Sequence, residues 1–208
     1  MSRVFLLSPA RCDGKRARML LNPAATFDLA QRLRAPGGAP IGEVFSFLSG
    51  LYFRGKLMYA QRFAVPPHGL SGAWVITSSL GLLPVETVVT LQDLKHLGEF
   101  DIDLKEARYV STLKRDAEKV LEKLGATDSA ILLGSIATAK YLHPLTSVFG
   151  ARLLFPASFA GRGDLSRGGL LLRSARSGDE LSYVQAESSS THHGPRPAKL
   201  NRYKDVNA

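Results

Sequence analysis

The chain is poor in cysteine and has no long apolar segment. Its single cysteine among 208 residues, Cys12, excludes an internal disulfide framework and is typical of a protein in a reducing compartment. No segment approaches the roughly 18 consecutive apolar residues of a membrane-spanning helix. The N-terminal apolar run is too short, and is followed too soon by charges, for a signal peptide. We therefore expect a cytoplasmic protein with no membrane partner and a core of its own.

Acidic residues are also scarce, with 18 Asp and Glu against 27 Lys and Arg and a formal charge of +9. Two sections hold the excess: residues 11–34 have six bases against two acids, and residues 151–208 have nine against five. Residues 91–128 are slightly acidic. A basic face formed by the two sections would favour nucleic acid or another polyanion as a partner. A basic protein without such a partner is the alternative.

Four uniformly apolar segments predict buried strands at residues 3–8, 73–79, 129–134 and 151–155. They alternate with amphipathic segments, an order typical of a mostly parallel sheet covered on both faces. We therefore predict an α/β fold over residues 1–178, a three-layer α/β/α domain with a short, mostly parallel four-stranded sheet. Residues 179–208 are predicted to supply an edge strand, within LSYVQA, and an extended basic C-terminal arm.

Apolar spacing and capping signals predict the helices. We expect a helix near residues 24–34, two helical pieces across residues 41–63, and a long helix after a capping box at residues 103–106, with Asp103 as its cap. Asp164 is predicted to cap the last helix. Residues 81–103 have no sustained period, and no element is predicted there.

Four loops follow the predicted strands, and ligand crevices of open α/β sheets lie at the carboxyl ends of the strands. These loops are rich in small and hydroxyl residues, and the first and fourth are basic: residues 8–18, 77–83, 134–138 and 156–167. Glycines permit close backbone approach, and helix N-termini favour anions. Together the loops predict a crevice for an anionic ligand, although each one alone is typical of an ordinary connection.

The spacing Cys12-x5-Arg18 is that of the phosphate loop of tyrosine phosphatases. However, Asp13 beside the thiol would repel phosphate and raise the pKa of Cys12. Met19 also stands where a hydroxyl residue is usual. A phosphatase-like enzyme is kept as an alternative, and a partly buried structural Cys12 is favoured.

Asp13 offers a different chemistry, because a carboxylate among cations stays ionised and can orient water or stabilise a cationic sugar. The alternative is that it caps the turn before Gly14 or pairs with Arg16. The neighbouring histidines at positions 192 and 193 have no third ligand at a suitable spacing, so no metal site is predicted.

Several segments in order resemble the YaaA-like proteins and the uncharacterised bacterial domains related to them. They are a first strand opening into a small polar and basic loop, then LYFRGKLMYAQRF, WVITSSLGLLPVE, ILLGSIATAKYLHPL and FPASFAGRGDLSRGGLLLR. The resemblance covers roughly residues 3–173. It implies a fold related to the uracil-DNA glycosylase superfamily, whose enzymes flip a base and cleave its N-glycosidic bond. Asp13 matches the acidic or amide residue that these enzymes have after the first strand.

The chain departs from the uracil-removing enzymes, because it has no GQDPY-like loop and only His143-Pro144-Leu145 as a fragment of their HPSPL-like segment. The resemblance therefore implies an unusual or modified base. We expect a DNA-binding N-glycosidase that leaves an abasic site, in DNA repair or in defence against foreign DNA. A non-catalytic DNA-binding protein on the same fold is the alternative.

The expected site residues fall into three groups. The expected catalytic residues are Asp13, His143 and His193. The expected phosphate-binding residues are Arg11, Lys15, Arg16, Arg18, Arg162, Arg167, Arg196 and Lys199. The expected base pocket consists of Ser8, Ser78, Ser79, Gly81 and Gly134. We expect no metal or cofactor, double- or single-stranded DNA as the partner, and a monomer. GPRPAKL in the tail suits a phosphate backbone but also an unstructured end.

Overall fold

The structure is a computed structural model and describes residues 1–186 of the chain. Residues 187–208 lie outside the described part. That segment includes most of the predicted basic arm, with His193, Arg196 and Lys199.

Residues 1–186 contain eight strands and eight α-helices. The strands are β1 (Arg3–Leu7), β2 (Ala39–Pro40), β3 (Ala73–Ile76), β4 (Leu82–Pro84), β5 (Val88–Val89), β6 (Ser129–Leu133), β7 (Leu153–Pro156) and β8 (Tyr183–Gln185). The helices are α1 (Lys15–Leu21), α2 (Asp28–Arg34), α3 (Ile41–Ser49), α4 (Leu51–Phe63), α5 (Leu91–Gly98), α6 (Ala107–Lys123), α7 (Ala139–Phe149) and α8 (Asp164–Ser177).

The main sheet has six strands in the order β4-β3-β1-β6-β7-β8. β3, β1, β6 and β7 are parallel, with Leu7 opposite both Val75 and Leu133. β4 and β8 add antiparallel strands at the two edges. The α/β class and the mostly parallel sheet are thus confirmed, whereas the prediction of four strands is wrong. β2 and β5 form a separate antiparallel pair.

The difference in strand number has a physical cause. The four predicted strands are the parallel ones, which read as continuous apolar runs because both of their faces are covered. Val4 to Leu7 of β1, for example, are fully buried. β4 has only three residues and follows β3 through a tight turn in which Gly81 has a φ of 73°, so it leaves no periodic signal. β8 lies within the predicted edge segment LSYVQA.

The helices follow the sequence pattern best where they are long. The two pieces predicted across residues 41–63 are α3 and α4, which separate at Gly50, where φ is 64°. The helix predicted near residues 24–34 is shorter and begins at Asp28. None of the helices described within residues 1–186 has both the length and the apolar surface that crossing a membrane requires.

Two predicted caps are wrong, and one capping box was missed. Glu106, not Asp103, caps α6, and its side chain accepts a hydrogen bond from the backbone of Arg108. Gly163 is the N-cap of α8, and Asp164 is the first residue of that helix. A capping box does occur at α5, where the side chain of Thr90 accepts from Asp93 N and the Asp93 carboxylate accepts from Thr90 N. It starts a helix inside the segment for which no element was predicted.

α4 and α8 cross with their backbones in contact. A Cβ on Gly55 would lie 2.6 Å from the carbonyl oxygen of Gly168, and a Cβ on Gly168 would lie 2.8 Å from the Cα of Tyr52. Only glycine fits at such distances. The crossing brings the first turns of the two helices together beside the carboxyl end of β1.

Candidate functional site

A pocket of about 380 Å³ opens beside the carboxyl ends of β1 and β3. Its aromatic lining is Phe45, Phe100 and Tyr141. Its polar lining combines two cations, three carboxylates and a hydroxyl, namely Arg11, Lys140, Asp13, Asp101, Asp103 and Ser78. Aromatic faces with a few convergent polar groups are the usual make-up of a small-ligand site, and the volume falls within the range of about 300–1,000 Å³ of such sites.

The loop after β1 and the helix α5 shape this pocket. Residues 9–13 all line it, and they connect β1 to α1. Gly98, at the end of α5, packs against the backbone of Cys12, with its Cβ position 3.5 Å from the Cys12 carbonyl oxygen. The hydroxyl of Ser78 donates to the carbonyl oxygen of Leu97 over 2.7 Å and so joins the loop after β3 to α5. α5 therefore closes one wall of the pocket.

Asp13 lies at the rim of the pocket and is paired with Arg11. Arg11 donates from Nε to Oδ1 over 3.0 Å and from Nη2 to Oδ2 over 2.6 Å. These hydrogen bonds lower the pKa of Asp13 below its ordinary value, and the carboxylate is 56% exposed. Arg16, the other partner considered for Asp13, instead donates to the carbonyl oxygen of Phe47. Asp13 is therefore an ionised group at neutral pH.

Cys12 also lines the pocket, but its environment opposes thiolate chemistry. Burial raises the pKa of Cys12 to about 12, and the charge of Asp13 adds to this effect. The thiol contacts the carbonyl oxygen of Ala10 at 3.8 Å. A nucleophilic cysteine needs the opposite shift. The pKa of Cys12 thus argues against the phosphatase-like alternative.

One of the five residues expected in the base pocket lines it, and that residue is Ser78. Ser79 is buried, and its hydroxyl has no hydrogen-bond partner within residues 1–186. Gly81 lies at the β3–β4 turn and packs against Asp116 of α6. Gly134 packs against Ser8, with its Cβ position 3.0 Å from the Ser8 Cβ. Ser8, Ser79, Gly81 and Gly134 are therefore not part of the pocket lining.

The structure places His143 away from this pocket. The residue is exposed on α7 and lines a separate depression with Thr138 and Ala186. Two residues along a helix turn the side chain by about 200°. Because Tyr141 faces the pocket, His143 faces elsewhere. The expectation that His143 stabilises a leaving base is therefore corrected, and His193 lies outside the described residues.

The residues expected to bind phosphate are divided between the surface and the interior. Arg11, Lys15, Arg16 and Arg18 are exposed around the pocket loop and α1. Arg162 is half-buried and donates to Ser158 O and Ser166 Oγ.

Arg167 is only 6% exposed, and its Nε and Nη2 donate to the carbonyl oxygen of Phe159. Its expected role in binding phosphate is therefore corrected, because the guanidinium faces the interior. Arg196 and Lys199 lie outside the described residues.

Sequence reasoning missed most of the pocket wall. Phe100, Asp101 and Asp103 belong to a segment without apolar periodicity, and no signal in that segment points to a pocket. Lys140 and Tyr141 stand at the first turn of α7, directly after the predicted loop at residues 134–138, so that loop was the available clue. Lys140 lies over the ring of Tyr141, with its Nζ 5.2 Å from the ring centre.

A buried lysine was also missed. Lys56 is 1% exposed, and its Nζ donates to the backbone oxygen of Ser8 and, over 2.9 Å, to the Ser8 hydroxyl. Burial lowers the pKa of Lys56 to about 7, with Asp164 opposing the shift and Arg167 adding to it. The available signal was a single cation in the helix face that otherwise consists of Tyr52, Tyr59 and Phe63.

Within residues 1–186, no three His, Cys, Asp or Glu side chains are grouped so that they could hold a metal ion. No protein-family model matches the chain, and no curated protein and no solved structure matches it either.

Proposed function

We propose that the protein is a DNA-binding N-glycosidase with the three-layer α/β/α fold of the uracil-DNA glycosylase superfamily, and that it excises an unusual or modified base. One observation carries the proposal. An ionised carboxylate, Asp13, stands at the rim of an aromatic-lined pocket at the carboxyl ends of the parallel strands. This combination suits a flipped base in the pocket and a sugar at its mouth.

The chemistry follows from the charges around the pocket. The bond between C1′ of the sugar and the base nitrogen breaks, and its electron pair leaves with the base. The sugar becomes cationic, and the ionised Asp13 stabilises it and orients the water that adds to C1′. The water proton replaces the lost bond at the base. Lys140, rather than His143, supplies positive charge near the leaving base, because it lines the pocket.

The surroundings of the pocket support a DNA partner. Exposed cations lie on the pocket loop and on α1, where they can neutralise phosphates beside a flipped nucleotide. Leu165 follows Asp164, whose charge acts on the pocket residue Tyr141, and is 75% exposed. Apolar side chains exposed in this way can insert between base steps and support base extrusion.

The proposal is tested with duplex and single-stranded DNA that carry a panel of modified bases. After incubation, alkali cleaves every abasic site, and the products are counted on a denaturing gel. We expect cleavage on at least one substrate and a loss of about a hundredfold or more in Asp13→Asn, as for the removal of one electrostatic catalytic group. Asp28→Asn, at an exposed carboxylate paired with Arg32, is the matched control and should keep full activity. Equal cleavage by Asp13→Asn and the native protein would remove Asp13 from the mechanism.

A non-catalytic DNA-binding protein is the second candidate, and one observation favours it. Both oxygens of Asp13 are occupied by Arg11, so the carboxylate is paired rather than free. This function predicts salt-sensitive DNA binding and no abasic sites on any substrate. The abasic-site assay separates the two candidates, and Arg11→Ala adds to it. In an N-glycosidase this variant frees the Asp13 carboxylate and changes the cleavage rate, whereas in a binding protein it lowers the affinity for DNA and no abasic sites form.

A further inference from the structure

A second polar cluster lies directly behind the pocket loop. At its centre is Lys56, which binds both the carbonyl oxygen and the hydroxyl of Ser8. Ser8 is the single residue between β1 and the pocket-lining residues 9–13. Ser8 N also donates to the carbonyl oxygen of Leu133 in β6. Lys56 therefore binds the chain at the point where it leaves the sheet for the pocket.

The environment of Lys56 is costly for a charged group. A buried ammonium is destabilising unless it is paired and fully hydrogen-bonded. None of the ion pairs formed within residues 1–186 includes Lys56. Its compensation is the pair of Ser8 acceptors and the ring faces of Tyr52 and Phe53, whose centres lie 4.3 and 4.9 Å from Nζ. A methionine would fill the same space without this cost, so packing alone does not explain the lysine.

The close crossing of α4 and α8 connects this cluster to the pocket. The charged groups that act on Lys56 are Asp164 and Arg167 of α8, and Tyr52 contacts it from its own helix. Asp164 and Tyr52 also raise the pKa of Tyr141, which burial has already raised. Because Tyr141 lines the pocket, the charge of Asp164 acts both on Lys56 and on a residue of the pocket lining.

We propose that Lys56 is a positioning residue that fixes pocket residues 9–13, and with them Asp13, by binding both the carbonyl and the hydroxyl of Ser8. The consequence for base excision rests on the proposed function, but the positioning of the loop does not. The ammonium makes charge-assisted hydrogen bonds, which are stronger than those of a neutral amine. Since the pKa of Lys56 is about 7, the hold on the loop weakens as the pH rises from about 6 to about 8.5.

Cys12 provides a direct probe of this loop, because it is the only cysteine in the chain and lines the pocket. Its rate of reaction with a small thiol reagent is measured in the native protein and in Lys56→Met, without DNA. We expect the rate to rise by about tenfold at pH 6 in Lys56→Met, because local opening exposes the thiol. Lys123→Met is the control, since it makes the same substitution at an exposed site in the last turn of α6, and should react like the native protein.

The pH dependence of the ratio between Lys56→Met and native rates separates positioning from packing. Thiolate formation and every other titratable group are common to the two proteins and largely cancel in the ratio. Positioning by the ammonium predicts a ratio that falls as the pH rises through about 7 and stays above one, because the neutral amine still donates to Ser8, only more weakly. A folded Lys56→Met with the native rate would overturn the proposal, and so would a ratio that is the same at every pH.

Ser8→Ala gives a second, milder test that does not depend on the folding of Lys56→Met. It removes the hydroxyl acceptor and leaves the carbonyl in place, so we expect a rise in the labelling rate of about two- to threefold. If Lys56→Met fails to fold, a native rate in Ser8→Ala overturns the proposal, and a raised rate supports it. A failure to find abasic sites would count against the proposed function and leave this result unchanged.

Discussion

Two ionisable residues, Asp13 and Lys56, determine the charge in and behind the pocket loop of residues 9–13, and their environments are opposite. Asp13 is exposed, and its pKa is lowered by the hydrogen bonds from Arg11. Lys56 is buried, and burial lowers its pKa to about 7. The carboxylate therefore keeps its charge at neutral pH, whereas the lysine is close to losing its own. One loop thus combines a constant charge at the pocket rim with a pH-sensitive anchor behind it.

Global unfolding has the opposite pH dependence to the opening of residues 9–13, because it hydrates Lys56, whereas the local opening leaves the lysine buried against Tyr52 and Phe53. Lys56 should therefore make the free energy of unfolding rise with pH. The unfolded chain holds the Lys56 proton up to about pH 10.5, and the folded protein releases it near pH 7, so the unfolded state binds more protons between these values. The free energy of unfolding then increases with pH, by up to about 3 kcal/mol between pH 7 and pH 9.5 for this single group. Urea unfolding across this range should show that increase in the native protein and not in Lys56→Met.

Below about pH 6 the contribution of Lys56 to stability is constant, because both states hold the proton. Lys123→Met should follow the native curve at every pH, since Lys123 is exposed. The tyrosines with pKa values raised by burial, among them Tyr109, affect stability only above about pH 10, outside the range of this measurement. Parallel curves for Lys56→Met and the native protein would contradict the lowered pKa.

Among the elements, the buried apolar strands and the long helices are predicted from the sequence, whereas β4 and α5, which are short and bury few residues, are not. The last four residues of β1 and of β6 are apolar and buried because both faces of these strands are covered, so their pattern is unambiguous. α5 buries only Leu94 and Leu97, which is too little for a periodic signal, and its capping box lies inside an irregular stretch. Phe100 follows α5 in the chain, so the part of the pocket wall that it forms was missed together with that helix.

Of the expected catalytic residues within residues 1–186, the position of Asp13 could be predicted from the sequence, whereas that of His143 could not. Asp13 could be placed at the crevice because a strand end fixes the loop that follows it. The direction of His143 could not be predicted, because it depends on how α7 is rotated against the sheet. Which residues of a helix face a site follows from tertiary packing, and the sequence of α7, with Pro144 in its interior, does not define that rotation.

The crossing of α4 and α8 leaves no room for a side chain at Gly55. Gly55→Ala places a methyl group 2.6 Å from the backbone oxygen of Gly168, so the helices must separate. We expect a loss of about 1–3 kcal/mol in the free energy of unfolding from overpacking, although alanine is favoured over glycine within a helix by about 1 kcal/mol. Gly37→Ala is the control, since no atom lies within 4 Å of its Cβ position. Its effect should stay within about 0.5–1 kcal/mol, and an equal effect at both glycines would contradict the close crossing.

In the molecule as a whole, exposed cations lie at both ends of the parallel strands. The pocket loop and α1 place four exposed cations at the carboxyl ends of the strands: Arg11, Lys15, Arg16 and Arg18. At the opposite edge, Arg62 and Lys123 end α4 and α6, next to the starts of β1 and β6. A formal charge of +9 alone would attract DNA to any face. If DNA binds at the pocket, the cations near the pocket contribute more to the affinity for DNA than the cations elsewhere.

Salt dependence measures this difference between the two edges. We expect the double variant Lys15→Gln and Arg18→Gln to bind DNA more weakly and to reduce the slope of log K against log salt by about 2, because each lost phosphate contact removes about 0.9. The double variant Arg62→Gln and Lys123→Gln has the same net charge and should keep the native slope. Fluorescence anisotropy with a labelled duplex at several salt concentrations gives both slopes. Equal slopes in the two double variants would mean that net charge, and not the pocket edge, attracts DNA, and the pocket would then lose its support as a DNA-facing site.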